Sequence, residues 1–155
     1  MPLRLPPRLF RLLMNWWPPF RGAGIRVRSI SADWSTVEVE LRPRAMNRNP
    51  HGAHFGGSLF AMTDPFFALM LQHQLGPTYR IWDQWSAIEF LKPGIGVVSA
   101  RFEMARAEGE RVRHAASGGA KVLPEYSVEI HDQQGQVIAR VQKRLYVRLR
   151  LNVPA

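Results

Sequence analysis

At 155 residues the chain has room for one domain with its own core and no length for a second. Its 46% hydrophobic and 21% charged residues exclude a disordered chain, and the absence of cysteine excludes disulfides, thiolate metal sites and cysteine nucleophiles and suits a reducing, cytoplasmic setting. Against 12 Asp and Glu stand 21 Lys and Arg, a net charge of +9 carried almost wholly by arginine, which favours anionic partners or a plain solvated basic surface.

The first 24 residues begin basic and turn apolar. Arg8 and Arg11 interrupt the run, Pro18-Pro19 follows and no small-residue cleavage site is evident, so the segment reads neither as a signal peptide nor as a bilayer span. Leu9, Leu12, Leu13 and Trp16 recur at helical spacing and predict a short amphipathic helix within residues 1–23. It is expected to dock on the domain's own surface rather than on a membrane. Next come two strand-like runs, Ile25–Ser31 and Thr36–Arg42. In the second, Val37, Val39 and Leu41 alternate with Glu38, Glu40 and Arg42, as in a half-buried antiparallel strand.

A glycine-rich stretch, Met46–Gly57, leads into Ser58–Leu75, apolar on nearly every side and therefore a buried helix that Gly76-Pro77 stops. Pro65 allows two readings: a kink in a helix begun at Ser58, or a later start with Asp64 as N-cap and Pro65 in the first turn. Four further strand-like runs follow, Ile81–Lys92, Val97–Ala105, Ala120–Asp132 and Gln136–Arg148, with the polar stretch Ala107–Gly119 read as a connection. Two strands, one buried helix and four strands predict an α+β domain whose antiparallel sheet curls round the helix.

That order, with a glycine pair opening the helix, resembles the hotdog fold of acyl-CoA thioesterases and dehydratases over residues 24–150. Asn49-Pro50-His51-Gly52-Ala53-His54-Phe55-Gly56-Gly57, followed after six residues by Asp64, resembles the phenylacetyl-CoA-type thioesterase signature N-x-H-G-x-x-H-G-G-x6-D. Phe55 stands where the second histidine is expected. An N-terminal W-P-P-F, the F-G-G-S-L and the D-P pair also resemble an uncharacterised hotdog branch. The resemblance implies one hotdog domain over 1–155, hydrolysis of an acyl-CoA or acyl-carrier thioester, and a homodimer or homotetramer. It implies no cofactor, no metal, no nucleic acid and no membrane span.

Thioester hydrolysis needs donors for the developing oxyanion and an activated water or carboxylate nucleophile. The amide of Gly57, with Gly56 beside it, lets a thioester approach the backbone without a Cβ in the way. Asp64 is the acidic side chain of the helix segment, with N-cap as its structural alternative. The resemblance makes Asn49 an orienting residue, against a turn asparagine before proline. His51 is either a base or a loop anchor, and Phe55 is an acyl-pocket residue. His51 and His54 lack the further ligands that a zinc site requires. Arg140, Arg144, Arg148 and Arg150 share one strand face and could meet coenzyme A phosphates or simply water. Trp82 and Trp85 are core, interface or acyl-pocket wall. The alternatives are a non-catalytic acyl-CoA-binding hotdog closed by Phe55, and a nucleic-acid binder suggested by charge alone. Against the latter, no recognition signature or aromatic stacking stripe is present.

Overall fold

Two short helices, α1 (Pro7–Trp16) and α2 (Pro18–Ala23), precede the first strand, and prolines at the opening of each set the boundaries. The coordinates, a computed structural model, describe residues 5–150; the beginning of the predicted N-terminal helix and residues 151–155 lie outside them. Gly24, at φ 81°, ends α2 where a Cβ would run into the Asn47 amide and the Arg42 carbonyl.

Strands β1 (Ile25–Ile30), β2 (Thr36–Leu41), β3 (Tyr79–Phe90), β4 (Val98–Glu103), β5 (Glu125–His131) and β6 (Val137–Leu149) form one antiparallel sheet in the order β1-β2-β4-β5-β6-β3. Its inner face carries Val27, Val37, Val39, Leu41, Phe102, Ile130, Val141 and Val147, all fully buried. Against that face lies the helical segment, which supplies Phe66, Phe67, Met70, Leu71 and Leu75. Phe66 and Phe67 meet the Phe102 ring at 5.0 and 5.2 Å.

The predicted helix over Ser58–Leu75 is two helices. Helix α3 (Gly56–Ala61) ends in a turn closed by Thr63 and Asp64 amides donating to the Phe60 and Ala61 carbonyls, and α4 (Phe66–Leu75) restarts after Pro65. Neither sequence reading is complete. The segment breaks rather than kinks, because Pro65 cannot donate to Ala61. Asp64 is no N-cap: Pro65 occupies the cap position and no side chain bonds there.

The polar stretch Ala107–Gly119 is also corrected: α5 (Arg106–Ala115) fills most of it. Only Gly109 and Val112 are buried, so the apolar period is too sparse to register. Glu108–Arg111 and Glu110–Arg113 pairs support the exposed side, while Gly109 sits against Gln74 of α4. Accordingly β5 begins at Glu125, with an isolated Val122–Val147 bridge ahead of it, instead of at Ala120.

Candidate active site around the signature loop and the helix break

The signature loop is held by its own polar side chains. Asn49 Oδ1 accepts the amides of His51 and Ala53 at 3.0 and 3.2 Å, an Asx-type turn that matches the structural alternative for this residue. His51 is exposed on the turn. His54 is buried, its amide donating to the Gly94 carbonyl and its Nε2 lying 2.6 Å from the Gly96 carbonyl. A carbonyl only accepts, so Nε2 carries the proton. Burial holds the His54 pKa below the ordinary histidine value, while Nδ1 is enclosed without a partner among the described residues.

Two buried residues fix this region: His54, weighed from the sequence only as a metal ligand, and Asn47, which the sequence did not single out. His54 ties the loop to the β3–β4 connection. Asn47 donates to the Ala23 and Arg42 carbonyls at 2.6 and 2.8 Å and accepts the Arg44 amide at 2.7 Å, joining α2, β2 and the loop.

The loop delivers Phe55 as the residue before α3. The first-turn amides of Gly56 and Gly57 have no helical acceptor. The Phe55 ring is 61% exposed and lies over Gly57, in the space a Cβ would take there. A Cβ on Gly56 would come within 3.0 Å of the Phe90 ring. Asn49, His54, Gly56, Leu59, Phe90 and Pro93 border a cleft of about 390 Å3 beside the opening of α3, with Lys92 at its rim.

Asp64 stands at the other end of α3, in the break before α4. Six helical residues span roughly 9 Å, so within one protomer Asp64 and the glycine amides do not converge. Asp64 meets a different partner instead. Lys143, on β6, is 2% exposed, and its Nζ lies 2.6 Å from Asp83 Oδ2 and 3.4 Å from Asp64 Oδ1. Among the described residues, Asp83 Oδ1 is buried without a partner. Burial raises the Asp83 pKa, the nearby Asp64 carboxylate raises it further, and the Lys143 ammonium opposes both. The sequence signal for this cluster is a single anomaly: Lys143 falls on the inward face of β6, between Val141 and Leu145.

Asp83 faces inward by alternation with Tyr79 and Ile81, and a bulge just after it turns Trp85 outward. Asp83 pairs with Leu145 but Trp85 pairs with Arg144, so the inward set shifts from Ile81 and Asp83 to Ser86 and Ile88. Both tryptophans therefore face outward, Trp82 stacked on Tyr146 at 3.9 Å and Trp85 under Arg144. The other arginines of that face are engaged as well: Arg140 bonds Glu129, Arg144 bonds Glu125 and Arg148 bonds the Gly119 carbonyl. Arg150 contributes a backbone bond to Thr78.

Solved structures of the same fold cover nearly the whole chain. A Pseudomonas aeruginosa protein of unknown function, PA5026, named a probable thioesterase, is 18% identical with a TM-score of 0.83, over 96% of this chain and 99% of that one. The Haemophilus influenzae thioesterase HI1161 is 13% identical with a TM-score of 0.69, over 99% and 98%. The E. coli PaaI protein of the phenylacetic acid degradation operon is 20% identical with a TM-score of 0.61, over 89% and 91%. No curated protein matches in sequence. These likenesses make the fold that of the hotdog thioesterases. Residues 7–147 match the family described as a domain of unknown function (DUF4442), and the chain is a hotdog-fold member of that family.

Proposed function

We propose that the protein hydrolyses an acyl thioester, with acyl-CoA as the substrate class. The observation that carries this reading is Asp64: a solvent-reaching carboxylate, 59% exposed, tethered by a buried lysine instead of capping a helix. A carboxylate held this way can take a proton from water. The water oxygen then bonds the thioester carbon, the C–S bond breaks and the thiolate leaves to be protonated by solvent. The free amides of Gly56 and Gly57 suit the carbonyl oxygen. The cleft beside them, walled by Leu59, Phe90 and Leu91, suits an apolar acyl group. The solved structures of this fold that are named thioesterases lend the reading further support.

The distance between Asp64 and Gly57 bears on assembly. If both act on one carbonyl, they come from different copies, and the active unit is a homodimer, or a tetramer built from dimers. Strand β3 suits such pairing, being a 12-residue sheet edge bonded on one side only, to β6, with Trp82, Trp85 and Phe90 exposed along it.

A second reading, an acyl-CoA-binding protein without turnover, is favoured by the Phe55 ring lying over Gly57. One experiment separates the two: thiol release by purified protein across short, long and aromatic acyl-CoAs, with Asp64→Asn alongside. General-base loss is expected to reduce turnover on the order of 100-fold or more at unchanged stability. Equal turnover by the variant would remove Asp64 from the reaction, and binding without release would establish the second reading. Light scattering that reports a monomer at micromolar concentration would rule out a shared site.

A further inference from the structure

Helix α1 docks on the sheet, but not through the stripe of leucines that its spacing displays. The residues that meet the sheet are Phe10 and Met14, both buried, whereas Leu9, Leu12, Leu13 and Trp16 are 44%, 50%, 50% and 68% exposed. At about 100° per residue the helix therefore has three sectors. Phe10 and Met14 form one, Arg8, Arg11 and Asn15 a second, and the outward stripe of Leu9, Leu12, Leu13 and Trp16 a third.

The orientation is locked. Asn15 donates to the Val27 carbonyl at 3.1 Å and accepts the Val27 amide at 2.8 Å, and Arg11 donates to the Arg28 carbonyl at 3.2 Å. Rotating the leucines inward would break all three bonds and expel Phe10 from its edge contact with Trp34. Trp17, 45% exposed, extends the stripe toward α2. A contiguous apolar stripe held in water by hydrogen bonds of its own helix is a surface that something else covers.

We infer that this stripe docks the protein on an anionic lipid bilayer, α1 lying in the plane of the interface. The charge pattern selects that occupant. From the described start at Leu5 to Ala32 there are five arginines, Arg8, Arg11, Arg21, Arg26 and Arg28, and no acidic residue. Arg28 is compensated by Glu40, and Arg21 sits 4.8 Å from the Trp16 ring. Leucine and tryptophan on one sector with arginine on the next is the composition of an interfacial helix, whose apolar side enters the headgroup boundary while its cations meet lipid phosphates. A second copy is the poorer occupant, because an isologous contact would set these arginines against their own counterparts.

The test is flotation of the full-length protein with vesicles of phosphatidylcholine alone or mixed with phosphatidylglycerol, at low and high salt. Binding is expected on the mixed vesicles and to weaken with salt. Leu12→Ser/Leu13→Ser/Trp16→Ser, in which no buried side chain changes, should lose it by on the order of 100-fold with unaltered thermal unfolding. Arg8→Gln should lose about fivefold on mixed vesicles and little on phosphatidylcholine. Absence of vesicle binding, or equal binding by the triple variant, overturns the inference. So does self-association that the triple variant abolishes without any vesicle binding, which would make the stripe a contact between copies.

Discussion

Replacing Lys143 with methionine keeps most of the side-chain volume and removes the ammonium from between Asp83 and Asp64. Asp83 bears the consequence: its side chain is 20% exposed, Oδ1 already lacks a partner among the described residues, and Oδ2 would lose its 2.6 Å bond. Breaking a buried ion pair from one side costs about 3–5 kcal/mol, and water reaching the exposed part of Asp83 sets the expectation at the lower end, about 3 kcal/mol near neutral pH. The deficit depends on pH with a definite sign. Burial already raises the Asp83 pKa, and without the opposing cation it rises further. Between the ordinary carboxylate value and that raised one, native protein holds a proton that unfolded protein has released. Stability of the variant therefore increases as pH falls through this window. Urea unfolding of wild type, Lys143→Met, Asp83→Asn and the double variant, each at neutral and mildly acidic pH, measures both effects. A coupling of about 2 kcal/mol or more is expected, since the double variant leaves neither charge unpaired. Additivity to within about 0.5 kcal/mol, with a deficit independent of pH, would refute the reasoning.

Asn47→Ala should cost about 3 kcal/mol in urea unfolding, because the Ala23 and Arg42 carbonyls and the Arg44 amide all lose their partner. His54 and His73, the latter on α4 and stacked on Trp34, both have pKa values lowered by burial, so below the ordinary histidine value the unfolded chain binds more protons. The melting temperature should thus fall as pH drops below about 6.5, and His54→Gln should reduce that slope. Phe55→His should leave stability within about 1 kcal/mol, since the ring is mostly exposed. The same change should slow thiol release from long apolar acyl-CoAs more than from short polar ones, and a gain of activity would mean that the ring closes the site.

Much of this protein is legible in one dimension because its elements carry strong local signals. Alternation in Thr36–Leu41 and Val137–Leu149, an all-round apolar run before Gly76, and a glycine pair ahead of that run suffice for six strands curled round a buried helical segment. Local signal fails where one partner is distant. Helix α5 has too few apolar residues to show a period, and its support comes from Gln74, whose carbonyl accepts from Arg113, and from Tyr126, which donates to Glu108. The signature resemblance draws the eye to Asn49, His51 and Phe55, yet hydrogen bonding binds Asn49 to its own loop and leaves His51 outside. Asp64 lies seven residues beyond Gly57, but whether it caps a helix or faces a cation depends on β6, 79 residues away in the chain. The outward turn of Leu9, Leu12 and Leu13 has the same origin. Helical spacing defines both apolar sectors of α1, and only the Asn15–Val27 and Arg11–Arg28 bonds choose which of them meets the sheet. Periodicity determines that a face exists, because it depends on neighbours three or four residues apart; which face is buried is decided by contacts between elements that only the folded chain brings together.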